Sequence, residues 1–152
     1  MREWINQRFQ TNFTEEDLSS VKDFALIWNV FEGNVCQTNF SIPAVRQRIN
    51  ARNMNAADFD KNLQYFRQRY LTNGVVNNRF PYLHFRTPNQ ATLVQNVLIG
   101  NNVNNNDIIV ALILIVHRYR NNLFHGLKDM AQIDQHTENF DNANEVLRRF
   151  LN

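Results

Sequence analysis

The fold of this chain is decided by Ile108–Val116, which reads IIVALILIV. This run is about half of the roughly 20 apolar residues that a helix needs to cross a bilayer, so we expect no membrane span. A helix that is apolar on every side for more than two turns must be buried on every side, by its own core or by a second subunit. We therefore predict a buried helix that begins near Asn106 or Asp107.

Apolar residues elsewhere in the chain also follow helical spacing. Three prolines and four glycines leave long stretches uninterrupted, and the regular apolar patterns have the period of a helix. We predict an all-α fold in a single domain over residues 1–152, a length that suits one core. The further predicted helices run from Thr14 to about Val35, Ser41 to about Ile49, Ala56 to Leu71, Thr87 to Ile99 and Phe140 to Phe150, with a loop or short extended piece over residues 73–86.

Charge is distributed unevenly along the chain. The net charge is only +2, but residues 61–128 carry +7, against −2 for residues 1–60 and −3 for residues 129–152. Such asymmetry points to an anionic partner. Aromatic and basic residues also alternate between Tyr65 and Arg86, as they do on surfaces that bind single-stranded RNA, although these aromatics could instead belong to the core. The candidate RNA-binding residues are Arg67, Arg69, Arg79, Arg86 and Arg118.

Composition argues against other classes. The single cysteine, Cys36, cannot form an intramolecular disulfide, and the first ten residues lack a charged-then-apolar leader. We therefore expect a cytoplasmic protein. The four histidines have no metal-ligand spacing, so neither a metal nor another cofactor is expected.

Chemically, the richest segment follows the apolar run directly. His117–Lys128 reads HRYRNNLFHGLK and contains no acid. One interpretation is a solvated helix end, where cations are favourable; the other is a functional site. In an unbroken helix Arg120 and His125 would lie about 140° apart. They could meet through a helix break at Asn121-Asn122 or Gly126, or across a two-fold dimer.

Arg120–His125, RNNLFH, resembles the R-x4-6-H signature of HEPN domains, and the following Gly126 fits the RNxxxHG variant. Phe24–Glu32 is similar to the aromatic first helix of that family. The resemblance implies a four-to-five-helix up-and-down bundle. It further implies a homodimer with a shared cleft that acts as a metal-independent endoribonuclease in toxin, phage-defence or CRISPR-associated systems.

Under this resemblance, Arg120, Asn121 and His125 are the expected catalytic residues. His125 would act as acid or base, Arg120 would hold the phosphate, and Asn121 would orient the phosphate or the imidazole. The expected reaction is attack by the RNA 2′-hydroxyl, which leaves a 2′,3′-cyclic phosphate. The expected partners are RNA, a second copy of the chain, and an antitoxin or other regulatory protein.

Three further residues are candidates for supporting roles. His117 could be a second acid or base or a packing residue, and Glu32 could pair with a motif arginine or face solvent; Lys128 could also contribute. Two other function classes stay open. The chain could be a non-catalytic module that binds RNA, a nucleotide or a protein on the same basic surface, or a helical adaptor in which Arg120 and Lys128 only satisfy helix carbonyls.

Overall fold

The all-α prediction is confirmed in a computed structural model, which describes residues 1–126 and 129–152. These residues form seven α-helices and a two-stranded antiparallel hairpin. The helices are α1 (Arg2–Phe9), α2 (Glu15–Val35), α3 (Ile42–Arg52), α4 (Asp60–Tyr70), α5 (Pro88–Ile99), α6 (Asn105–Phe124) and α7 (Thr137–Leu151), and the strands are β1 (Leu71–Thr72) and β2 (Val75–Val76). Short 3₁₀ helices cover Ala56–Phe59, Phe80–Leu83 and Met130–His136.

Helix α6 is the centre of the molecule. Its residues Ile109–Val116 are each at most 1% exposed, so the apolar run is buried by the chain's own core without a second subunit. Helices α3, α5 and α7 pack against it, and α2 packs against α7. The N-terminus of α6 is capped by the Asn104 side chain, and Asp107 in its first turn pairs with Arg46 at 2.7 Å. An acid at this position interacts favourably with the helix dipole.

Helix α1 was not predicted. Only Ile5 is buried in it, so the sequence carries no apolar stripe that would indicate a helix there. Helix α1 is held in place by hydrogen bonds to a residue that lies beyond its C-terminal end. The Asn6 side chain accepts from the Phe13 backbone N–H at 2.9 Å and donates to the Phe13 carbonyl at 3.0 Å.

Residues 71–76 fold into a tight hairpin, which starts two residues before the loop or short extended piece predicted over residues 73–86 and leaves α4 to end at Tyr70 instead of the predicted Leu71. Leu71 pairs with Val76 and Thr72 with Val75. The two turn residues, Asn73 and Gly74, have φ of 51° and 77°. Positive φ at both central positions is the geometry that Asn-Gly favours in a two-residue hairpin loop.

Thr14 starts α2 with a reciprocal capping box. Its hydroxyl accepts from the Asp17 backbone N–H at 3.2 Å, while the Asp17 carboxylate accepts from the Thr14 backbone N–H at 2.7 Å. We expect Thr14→Ala to lower the free energy of unfolding by about 1 kcal/mol. Ser19→Ala, at an exposed site inside the same helix, is the control. Urea unfolding of both variants measures the difference, and equal losses would mean that the capping box contributes nothing particular.

Candidate functional site

The motif residues lie at the last turns of α6, where the buried helix reaches the surface. The helix continues without a break through Asn121 and Asn122 to Phe124, and His125 is its C-cap. Gly126 follows with φ of 68°, a left-handed conformation that ends many helices. Of the two break points suggested by the sequence, the structure therefore uses only the one at Gly126.

A ring of contacts holds Arg120. Its guanidinium donates to Asn121 Oδ1 at 3.2 Å and lies 3.9 Å from Glu32 Oε2. Asn121 Nδ2 is 3.3 Å from His117 Nε2, and the His117 ring stacks on Trp28 at 5.6 Å between centroids. The ring closes through Trp28 Nε1, which donates to Glu32 Oε2 at 3.2 Å. The side chain of Arg120 is therefore held in one orientation while 31% of it stays exposed.

His117 belongs to the core and not to the surface of the site. It is 3% exposed and is sandwiched between the rings of Trp28 and Phe40, with a centroid separation of 3.8 Å to Phe40. Burial, together with the charges of Arg118, Arg86 and Arg120, lowers the pKa of His117 from its usual 6.5 to about 3.

A neutral His117 can accept a hydrogen bond from Asn121 and so fix the orientation of its amide. Asn121 uses its oxygen to accept from Arg120, so its Nδ2 faces His117 Nε2, which must be the unprotonated nitrogen. Of the two roles that the sequence left open, the geometry therefore favours packing and positioning over acid-base work. Glu32 pairs with the motif arginine, which was one of its two alternatives.

No side-chain hydrogen bond, ion pair or ring contact joins His125 to this ring among the described residues. The backbone N–H of His125 donates to the Asn121 carbonyl at 2.9 Å, and His125 is exposed. Because α6 is unbroken up to Phe124, Arg120 and His125 project from the helix in different directions. Within one chain, the structure thus groups Arg120 with Asn121, His117 and Glu32, but not with His125. Lys128, the remaining supporting candidate, lies outside the described residues.

The five candidate RNA-binding arginines are found in three different environments. Arg118 is 6% exposed and donates through Nε to the Leu83 carbonyl at 3.0 Å, so it lies inside the fold and not on the expected surface. Arg67 donates to the Leu98 and Val97 carbonyls, so it satisfies two carbonyl groups at the C-terminal end of α5. Arg69, Arg79 and Arg86 remain available, with Arg79 and Arg86 exposed.

The burial of Arg118 has a signal in the sequence. It follows an apolar run without any helix-ending residue, so the buried surface of α6 continues past Val116 through Tyr119. The guanidinium is tolerated there because a backbone carbonyl accepts from it. Burying this charged group is still unfavourable, because burial and the neighbouring charge of Arg86 lower the pKa of Arg118.

Sequence reasoning missed two other parts of the site. Trp28 and Phe40, which enclose His117, come from different parts of the chain, and no local spacing connects them. A polar cavity also opens on the opposite side of α6, where it is lined by Asn122 and by residues of α4 and the Phe80–Leu83 turn. This cavity gathers short segments that are far apart in sequence, so a motif search could not have found it.

Metal and membrane features are reported for residues 1–126 and 129–152. In this part of the chain, no group of three or more His, Cys, Asp or Glu side chains is arranged to hold a metal ion. No helix there combines the length and the apolar character required to span a bilayer.

Comparison with protein-family models, curated proteins and solved structures found no match to this chain.

Proposed function

We propose that this chain is a metal-independent endoribonuclease that cleaves single-stranded RNA with Arg120 and His125. The observation that carries the proposal is the placement of Arg120. A guanidinium held by Asn121 and Glu32 at the end of a buried helix is still about a third exposed. Preorganised donors of this kind stabilise a charge that develops during a reaction.

Arg120 has unused donor capacity toward a phosphate. A guanidinium carries five N–H donors, and among the described residues it makes one hydrogen bond, to Asn121. Glu32, at 3.9 Å, is too distant for a direct hydrogen bond. Because Nε is buried, the N–H groups left on the two terminal nitrogens are the donors that can grip two phosphate oxygens in a bidentate geometry. Asn121 and His117 serve this step as positioning residues.

His125 supplies the proton transfers. In the reaction, the 2′-oxygen forms a bond to phosphorus, and the bond from phosphorus to the 5′-oxygen breaks. A base removes the 2′-hydroxyl proton and an acid delivers a proton to the 5′-oxygen. Imidazole suits both tasks near neutral pH. The products are a 2′,3′-cyclic phosphate and a 5′-hydroxyl end, and DNA, which lacks the 2′-hydroxyl, is not cut.

A dimer would allow Arg120 and His125 to act on the same phosphate. Arg120 and His125 diverge within one chain, so a two-fold axis near the end of α6 would let Arg120 of one protomer face His125 of the other. Phe124, 57% exposed and stacked under the Arg120 guanidinium at 5.3 Å, would become buried between the protomers.

Mixing of inactive variants tests the shared cleft. Arg120→Ala and His125→Ala protomers, mixed after dissociation, form heterodimers in which one cleft keeps both wild-type residues. We expect such a mixture to regain about a quarter of the wild-type rate, since about half of the dimers are mixed and each has one complete cleft. A mixture as inactive as its components would contradict a shared cleft.

The activity itself is tested with purified chain and single-stranded RNA in EDTA. We expect cleavage products that end in 2′,3′-cyclic phosphate and no cleavage of DNA of the same sequence. Cleavage that depends on added magnesium would contradict the mechanism. Tight RNA binding without any product would favour the non-catalytic binding module instead.

A further inference from the structure

The side of α6 opposite to Arg120 borders a second polar site. Asn122 there lines a cavity of about 240 Å³ between the end of α4, the Phe80–Leu83 turn and the Met130–His136 segment. Its polar lining includes Arg69, Arg79, Tyr82, His84, Asn122 and His136. Apart from Asn122, none of these residues belongs to the motif or to the ring that holds Arg120.

The cavity is positively charged. It contains two guanidinium groups against one carboxylate, Asp129. That carboxylate already accepts from the Ala131 backbone N–H at 2.9 Å, where it caps the Met130–His136 segment. Arg69 and Arg79 come from the stretch between Lys61 and Asn106, which contains no acid. An anionic ligand is therefore favoured.

Arg69 is the interior cation of this cavity. Its Nε is buried and has no hydrogen-bond partner among the described residues, and its guanidinium lies 5.8 Å from the Tyr70 ring centroid. The nearby Tyr70 hydroxyl is 2.6 Å from the Tyr119 hydroxyl. Burial raises the pKa of both tyrosines, so their hydroxyls stay neutral. Arg69 interacts with the Tyr70 hydroxyl, but no carboxylate among the described residues forms an ion pair with it, and its buried Nε still lacks an acceptor there. A buried donor of this kind is costly unless a partner arrives.

The mouth of the cavity carries an exposed aromatic ring on a fixed backbone. Tyr82 is 72% exposed, and its carbonyl accepts from Asn122 Nδ2 at 3.0 Å. The next carbonyl, that of Leu83, accepts from buried Arg118. His84 follows with φ of 53°, a left-handed conformation that is uncommon for a residue with a side chain. The turn is thus locked from α6 while the Tyr82 ring stays open to a ligand.

We propose that this cavity binds a nucleotide, with its phosphate on Arg69 and Arg79 and its base stacked on Tyr82. The volume is slightly below the range of about 300–1,000 Å³ typical of small-molecule pockets, so it suits a phosphate and sugar with the base at the mouth. Asn122 Oδ1, which is buried and makes no hydrogen bond within the described residues, is placed to accept from a sugar hydroxyl. The site differs from the Arg120 cleft and does not depend on cleavage.

Calorimetric titration of the full chain with adenosine 5′-monophosphate tests the site, with adenosine and inorganic phosphate as partial ligands. Arg79→Gln should weaken binding of the nucleotide at least about tenfold, the usual effect of losing a charge-assisted hydrogen bond. Tyr82→Ala should weaken it about fivefold or more through lost stacking. The controls are Arg148→Gln and Trp4→Ala, an exposed arginine and an exposed aromatic elsewhere, which should change the affinity less than about twofold.

The outcomes separate this proposal from the ribonuclease. His125→Ala should bind the nucleotide like wild type, and Tyr82→Ala, which changes no residue assigned to cleavage, should still cleave RNA in EDTA. Competition by a 5′-phosphorylated oligoribonucleotide, but not by its 5′-hydroxyl counterpart, would identify an RNA end as the source of the nucleotide; competition by neither would leave the free nucleotide as the ligand. No binding of nucleotide or phosphate at millimolar concentration, or equal losses in Arg148→Gln and Arg79→Gln, would overturn the proposal.

Discussion

Replacement of His125 by alanine is expected to lower the rate of RNA cleavage by about 10²–10⁴-fold, the usual contribution of a positioned acid or base. His125 is exposed at the C-cap of α6, so its side chain supports no packed core. The variant should therefore unfold at the same urea concentration as wild type. Single-turnover rates in EDTA measure the effect without interference from product release.

Arg120→Ala is the companion variant, with an expected loss of about 10²–10³-fold for a removed charge-stabilising donor. Arg120→Lys retains the charge but not the planar pair of donors, and it should recover only a small part of the rate. The matched control is Arg148→Ala, an exposed arginine on α7, which should cleave like wild type. A His125→Ala protein that keeps the wild-type rate would contradict the assigned role.

Acidification is expected to destabilise the protein through His117. The imidazole is neutral in the folded chain because its pKa is lowered to about 3, whereas in the unfolded chain it takes up a proton near pH 6.5. The stability that the folded chain gains from keeping His117 neutral is fully present above pH 6.5 and is lost as the pH falls toward 3. The contribution to the slope is up to about 1.4 kcal/mol per pH unit.

His117→Gln should remove this slope, because glutamine stays neutral and can still accept from Asn121. Urea unfolding between pH 7.5 and 4.5 measures the difference between wild type and variant, which should change by about 2–3 kcal/mol across that range. Trp4→Ala, which removes an exposed side chain that does not titrate, should follow the wild-type profile. Parallel profiles for wild type and His117→Gln would mean that His117 accepts a proton inside the fold, contrary to its sandwich between Trp28 and Phe40.

The sequence was most informative where one local signal determines local structure. The start of α2 at Thr14 and the end of α5 at Ile99 both occur as predicted, because the Thr14 capping box and the left-handed Gly100 after Ile99 require only neighbouring residues. The buried helix over Ile108–Val116 was equally predictable from its lack of any polar face. Helix α1 was missed because it is fixed by the contacts of Asn6 with Phe13, which local spacing does not reveal.

The candidate site was predictable in its residues but not in its arrangement. The motif placed Arg120 and His125 at the end of a buried helix, and the structure has them there. The ring that fixes Arg120 depends on Trp28 and Glu32 from α2, and helix packing alone brings these to α6. Whether the bundle is of HEPN type and whether it cleaves RNA remain predictions from the motif.

The most direct test uses a DNA strand that contains a single ribonucleotide, incubated with the purified chain in EDTA. The wild-type protein is expected to cut only on the 3′ side of that ribonucleotide and to leave a 2′,3′-cyclic phosphate, while His125→Ala leaves the strand intact. Cleavage by His125→Ala at the wild-type rate, or by the wild type only after magnesium is added, would contradict catalysis by Arg120 and His125.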